Sequence, residues 1–248
     1  MRRTVFSRNR VLCRKPQAVI FDMDGVLVDS MPYHFLAWYE TLRTLGVRVS
    51  CFDVYAKEGE RWDTSLKDFL SRAGVKPTPA VLRSIFLRRK RIFKKYFKRF
   101  IFQDAAAVLS CLHERGFVLG LVTGTPLAEV RRILPVSIRR FFGGIVAGDE
   151  VKCGKPHPEP YLKASTLLQI PPEACIVVEN APFGIESAKR AGMFCIAVTT
   201  SLPAAYLHRA DRVVEHLEAI PGMIAGCYKA GGKPASGPER TLRCTRTS

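Results

Sequence analysis

From residue 17 to about residue 225, short unbroken apolar runs alternate with longer stretches in which apolar positions recur at three- and four-residue spacing. The runs AVIF (18–21), VLGLVT (118–123), GIVAG (144–148), CIVVE (175–179) and CIAVT (195–199) predict strands. Most are apolar at every position, the pattern of strands buried on both faces of a sheet. Between them, DAAAVLSCLHERG (104–116), PLAEVRRIL (126–134), PEPYLKASTLLQ (158–169) and APFGIESAKRAG (181–192) carry helical periodicity, with glycines closing the first and last. A βαβα order predicts an α/β fold, a doubly wound parallel sheet covered by helices on both sides.

The first strand breaks this rhythm. After Ser30 the chain enters a mainly helical pattern over 31–103, through YHFLAWYETLRTLG, TSLKDFLSRAG and PAVLRSIFLRRKRIFKKYFKRF, which offers no strand. The expected organisation is a core of 17–30 and 104–228, an inserted α-helical cap over 31–103, and two tails, 1–16 and 229–248. No repeat of solenoid period is visible.

Charge sharpens this division. The formal net charge is +17, yet residues 1–16 carry six Arg or Lys and no acid, residues 82–100 carry nine and none, and residues 229–248 carry five and one acid, so the main body is nearly neutral. In 82–100 the apolar residues fall at helical spacing, which predicts an amphipathic helix with a solvated basic face. No nucleic-acid-binding motif accompanies the charge, so no specific nucleic acid is expected as partner. The tails read as flexible. No apolar stretch reaches the roughly 18 residues of a membrane span, and the N-terminus lacks the apolar region of a secretion signal, so a cytoplasmic location is expected. The eight cysteines (Cys13, Cys51, Cys111, Cys153, Cys175, Cys195, Cys227 and Cys244) show no CxxC pair or metal-ligand spacing and read as reduced thiols, several of them small core residues. Oligomeric state is not legible.

Candidate chemistry sits at the ends of the strands, where parallel α/β sheets bind ligands. FDMDG places Asp22 and Asp24 two positions apart with Gly25 behind them. In extended backbone that spacing points both acids to one side, where a cation or a proton must separate them. Thr123-Gly124-Thr125 follows the second strand, Gly154-Lys155-Pro156 follows the third, and Glu179-Asn180 ends the fourth. A carboxylate can attack phosphorus and split one difficult hydrolysis into two displacements, and Mg²⁺ would bring the two anions together through oxygen ligands.

FDMDGVLVDS, the threonine of LVTGT, GKPHPEPYL and VVENAPFGIESAKRAGM, in this order, resemble the four motifs of the haloacid dehalogenase superfamily over approximately residues 17–225. The insertion after the first motif resembles its helical-cap branch, which contains phosphoglycolate phosphatases and β-phosphoglucomutase, and YHFLAW (33–38) looks like the start of that cap. The resemblance implies a Rossmann-like core and Mg²⁺ as cofactor. It implies Asp22 as nucleophile and metal ligand, and Asp24 as a ligand through its carbonyl and as the acid and base. Thr123 and Gly124 would bind phosphate, Lys155 would neutralise charge there, and Glu179 and Asn180 would complete the metal site. Asn180 departs from the pattern, since many relatives have Asp there; an amide oxygen can still bind Mg²⁺ with less charge.

The same resemblance implies that His34 and Trp38 line the cleft between cap and core, although both could equally pack as ordinary helix residues. Glu58, Gly59 and Arg61 resemble the cap's substrate loop, with the arginine one place out of step. The implied activity is phosphate-monoester hydrolysis on a small phosphorylated metabolite through an aspartyl phosphate. The alternative is a hexose phosphate mutase of the β-phosphoglucomutase type; there a lysine follows the second motif, where this chain has Pro126, which favours hydrolysis. A third reading, of another class, is a binding module for nucleic acid or a membrane surface built on the same fold, which the intact Asp22, Asp24, Thr123 and Lys155 count against. Carbon–halogen cleavage is not expected, because those enzymes lack the second aspartate and need no metal.

Overall fold

The computed structural model describes residues 15–76 and 78–227; the tails named above therefore lie almost wholly outside the described residues. Six strands, β1 (Ala18–Asp22), β2 (Val118–Val122), β3 (Phe142–Val146), β4 (Cys175–Glu179), β5 (Phe194–Val198) and β6 (Arg212–Val214), form one sheet in the order β3-β2-β1-β4-β5-β6. Every pairing is parallel, and β1 lies between β2 and β4 with Ala18 opposite both Val118 and Cys175. The order reverses at β1, so the carboxyl ends of β1 and β4 flank the crevice where such folds bind ligands.

The period of two along each strand divides the core into two layers. Val19, Phe21, Leu119, Leu121, Ile176, Val178, Ile196 and Val198 face one way, against a cluster drawn from helices α5 (Ala105–Glu114), α6 (Leu127–Ile133), α7 (Val136–Arg139) and α10 (Ile220–Cys227). Ala18, Ile20, Val122, Cys175, Val177, Cys195 and Ala197 face the other way, against α8 (Glu159–Leu168) and α9 (Pro182–Arg190). With both faces covered, β1, β4 and β5 are buried at every residue, which is why their sequences are apolar up to the acids, Asp22 and Glu179, that end β1 and β4.

Between β1 and β2 the chain builds α1 (Met31–Leu42), α2 (Cys51–Tyr55), α3 (Trp62–Arg72) and α4 (Pro79–Tyr96). These helices enclose an apolar cluster of their own, comprising Trp38, Leu42, Val47, Val49, Val54, Leu66, Phe69, Leu70 and Ile85. The way out and the way back run together: Asp29 N–H donates to the Phe100 carbonyl at 2.9 Å and Phe102 N–H to the Leu27 carbonyl at 3.0 Å. The two crossings thus brace each other.

Several details differ from the sequence expectations. The third strand begins two residues earlier than GIVAG, at Phe142. The edge strand β6 was not predicted; Arg212 breaks its apolar pattern, as an edge position allows. The basic helix ends at Tyr96, and Ile85 is its buried residue. Cys51, Cys111, Cys153, Cys175 and Cys195 are free thiols, Cys175 and Cys195 buried and Cys51 and Cys153 exposed. Among the described residues, no helix is long and apolar enough to cross a membrane.

Candidate active site

β1 delivers Asp22 and the turn behind it delivers Asp24, both with 1% or less of their surface exposed. Gly25 lies against Asn180, close enough that a Cβ there would come within 2.1 Å of the amide nitrogen Nδ2. Thr123 and Gly124 follow β2, Lys155 sits in the loop after β3, and Glu179 and Asn180 close β4. The six polar side chains among these, Asp22, Asp24, Thr123, Lys155, Glu179 and Asn180, are buried at one end of the sheet.

Lys155 is the hub of one half. Its Nζ donates to Asp22 Oδ1 at 2.5 Å and to Glu179 Oε1 at 2.6 Å. Glu179 Oε1 also accepts from the Tyr161 hydroxyl at 2.7 Å, and its Oε2 accepts the backbone N–H of Asn180 at 2.9 Å and of Ala181 at 3.3 Å. Burial disfavours the ammonium, but the two carboxylates outweigh it and push the lysine pKa up, so it stays cationic. Asp22 is pushed well above the usual carboxylate range by burial, relieved in part by Lys155 and aggravated by Glu179 and Asp24. One ammonium does not balance this many acids.

The Asp24 half is built from donors. Oδ1 accepts from Ser30 Oγ at 2.6 Å and lies 3.3 Å from His34 Nε2, while Oδ2 accepts from Thr123 Oγ1 at 3.1 Å and Thr125 Oγ1 at 2.9 Å. Burial alone would raise its pKa; the His34 contact, with the Ser30 and Thr125 hydroxyls, overcomes this and holds it at about 2. Ser30 precedes α1 in the N-cap position, yet its side chain makes no cap hydrogen bond, because its hydroxyl is given to Asp24.

The inserted helices reach this half. His34 stacks on Phe93 at 4.5 Å and its Nδ1 meets Arg89 Nη2 at 3.0 Å. Glu58, driven up in pKa by burial, offers a carboxylate oxygen in a group with Asp24 and His34 whose ligand atoms lie within 4.8 Å of one another. Gly59, at φ +79, presses on the lysine: a Cβ there would sit 2.2 Å from Lys155 Cδ, and one on Gly124 would sit 3.1 Å from Gly59 Cα. Trp38 does not reach the polar centre. It is 4% exposed within the insertion's own cluster, edge-on to Phe69 and beneath the Arg89 guanidinium at 4.6 Å. Arg61 also lies outside the centre, its Nη1 spanning to the Val151 and Lys152 carbonyls at 3.4 Å.

Sequence reasoning assigned no role to Ser30, Thr125, Tyr161 or Arg89. The second threonine of TGT was available as a signal; the other three occupy ordinary-looking positions in or next to helices, and only the packing brings them in.

The donor set has a place for a cation. Asp22 Oδ2 and Asn180 Oδ1 are buried and make no hydrogen bond, two oxygen acceptors without a partner beside a surplus of acid. Oxygen ligands from carboxylate and amide suit a hard ion such as Mg²⁺. The Asp24–His34–Glu58 group includes an imidazole, which suits softer ions, and the Asp24 oxygens there are already engaged by donors.

Comparison with known proteins gives one answer. The family model for haloacid dehalogenase-like hydrolases matches residues 16–192. The chain is 32% identical over 205 residues to hexitol phosphatase A of Escherichia coli, covering 81% of this chain and 91% of that protein. It is 29% identical over 198 residues to β-phosphoglucomutase of Bacillus subtilis, covering 75% and 85%. In fold, it is similar to the crystal structure of β-phosphoglucomutase from Clostridium difficile, with a TM-score of 0.74 at 24% identity, covering 85% of this chain and 98% of that one. With four ordered motifs at the carboxyl ends of a doubly wound parallel sheet, the chain belongs to the haloacid dehalogenase-like hydrolases, the family of phosphatases and phosphomutases.

Proposed function

We propose that this protein is a Mg²⁺-dependent phosphatase that hydrolyses a small phosphorylated metabolite, with Asp22 as nucleophile and the inserted helices as a cap over the site. The observation that carries the reading is the state of Asp22: it is buried at the switch point of the sheet, with Oδ1 held by Lys155 and Oδ2 without a partner. A carboxylate held in place through one oxygen and open at the other is positioned to attack.

In the first displacement an Asp22 carboxylate oxygen bonds to phosphorus, the bond from phosphorus to the substrate oxygen breaks, and the leaving oxygen takes a proton. That proton comes from the Asp24–His34 pair, which can hold one between carboxylate and imidazole. In the second, water bonds to phosphorus, the bond from phosphorus to the Asp22 oxygen breaks, and the water gives its proton to the same pair, which frees Asp22 and releases inorganic phosphate. Lys155 neutralises charge on Asp22 throughout, and Thr123 and Gly124 stand beside the phosphoryl position. The residues for the metal are Asp22, Asn180, Glu179 and the backbone of Asp24. When bound, Mg²⁺ would supply positive charge between nucleophile and phosphate.

The similarity to a named hexitol phosphatase supports a phosphorylated polyol or sugar as substrate class, and Glu58, Arg89 and His34 are the groups a cap would turn towards its hydroxyls. The test is Asp22→Asn assayed against a panel of sugar and polyol phosphates with and without Mg²⁺. Wild type should release inorganic phosphate only with metal, and the variant should fall by at least about 10³-fold in kcat with its fold unchanged. Undiminished turnover in the variant would remove Asp22 from the mechanism. Migration of phosphate on a hexose, without release, would instead place the chain with the mutases.

A further inference from the structure

The loop that carries Lys155 holds a second cluster, which the phosphatase chemistry does not use. Cys153, His157 and Glu159 each present a ligand atom, and all three atoms lie within 4.8 Å of one another. Cys153 and His157 are exposed and Glu159 is half-buried. We infer that these three residues form a binding site for a thiophilic divalent cation of the zinc class, separate from the catalytic oxygen set.

Donor chemistry argues first. Thiolate, imidazole and carboxylate together select zinc-like ions over Mg²⁺, and three protein ligands with a fourth position left to solvent is a common zinc arrangement. The spacing Cys-x₃-His-x-Glu escapes a search for paired cysteines, since the site has only one.

The scaffold argues second. Glu159 opens α8, and its two oxygens accept the backbone N–H groups of Lys152 and Cys153 at 2.8 Å each, which draws the cysteine backbone onto the carboxylate while leaving each oxygen a free lone pair. His157 is fixed on both sides of its peptide, by its own N–H to the Gly154 carbonyl at 3.0 Å and by Ser187 Oγ to its carbonyl at 2.6 Å. Its Nδ1 accepts only the Glu159 N–H at 3.1 Å, a contact that an ion would replace. On binding the ion the thiol gives its proton to solvent.

The position gives the site a consequence. Cys153 and His157 flank Gly154-Lys155-Pro156, and Lys155 is the side chain that bridges Asp22 and Glu179. An ion gripping both flanks ties down the loop on which the catalytic lysine rides.

The experiment is thiol alkylation of the full-length protein, read cysteine by cysteine by peptide mass spectrometry, with excess Mg²⁺ present and with or without one equivalent of Zn²⁺. Zinc should slow modification of Cys153 by about tenfold or more while exposed Cys51 reacts as before. His157→Ala should lose that protection and keep its zinc-free turnover; Glu159→Gln serves the same purpose should the first variant fold poorly. Equal rates at Cys153 with and without zinc would overturn the site, as would equal slowing of Cys51 and Cys153 or full protection in both variants. Loss of protection when Mg²⁺ is raised further would show zinc competing for the catalytic oxygens instead, and would also overturn it. Since the readout is a thiol rate, it stands or falls independently of the phosphatase assignment.

Discussion

The sheet core and the inserted helices meet at one site but stabilise themselves differently. In the core, strands closed on both faces bury Lys155, Asp22 and Glu179 so completely that each charge depends on the others. In the insertion, ion pairs such as Arg72 with Asp53 and Asp68 lie at the surface, and the basic helix α4 buries one residue, Ile85. Low dielectric makes the first network costly to break, whereas solvent makes the second nearly dispensable. Asp22 and its balancing lysine therefore belong to the core, while the insertion brings His34 to Asp24 and sets Glu58 and Arg89 beside it.

The sharpest way to break the contrast is Lys155→Ala. It strands two buried carboxylates and should cost about 4 kcal/mol in urea denaturation at neutral pH, with turnover abolished. A variant as stable as wild type would show that the ammonium is not what balances these acids. Next is Gly59→Ala, which acts across the boundary. The added Cβ meets Lys155, pinned between its carboxylates, in a backbone at φ +79, so a loss of about 3 kcal/mol and a clear fall in kcat are expected. Gly46→Ala is the control inside the insertion: its φ is +73 but nothing lies within 4 Å, so only the left-handed backbone cost of about 1 kcal/mol should appear.

The same contrast governs what could be read from the chain alone. The buried strands announced themselves because burial on both faces forces every position to be apolar, and the site's framework was legible because Asp22, Thr123, Lys155 and Glu179 interrupt apolar runs at strand ends. Edge strand β6 was hidden by Arg212, and α2 by its five-residue length. Ser30, Tyr161 and Arg89 were hidden because each sits where an ordinary cap, core or surface residue would serve equally well. Tyr161 becomes a functional neighbour only when α8 packs against β1, β2 and β3 and its hydroxyl meets Glu179. For Trp38 the sequence left cleft lining and helix packing both open, and the structure places it in the insertion's own cluster.

A pH experiment sharpens the view of the core. The folded pKa of Asp24, about 2, lies below its ordinary 3.8, so its contribution to stability is full above that value and is lost as pH falls through about 2. Thr125→Val removes one donor to Oδ2 and should destabilise by about 2 kcal/mol at pH 7. Because the lost bond matters only while Asp24 is ionised, the gap to wild type should narrow as the pH approaches 2. A gap that stays constant across the acid range would mean that the threonine acts by packing alone.

The smallest effect should come from the insertion's surface. Ser50 caps α2 reciprocally with Asp53: Ser50 Oγ accepts the Asp53 N–H at 3.2 Å, and Asp53 Oδ2 accepts the Ser50 N–H at 2.8 Å. Ser50→Ala removes half of this box, in a helix of five residues whose one buried side chain is Val54. A cost of about 1 kcal/mol is expected, and solvent can replace the lost bond. Neither kcat nor the metal requirement should change, since the box touches none of the residues around Asp24. If this exposed cap proved to alter turnover as strongly as Gly59→Ala, the insertion would have to move as one body with the core site, and the contrast between a buried, interdependent charge network and solvent-screened surface contacts would no longer hold.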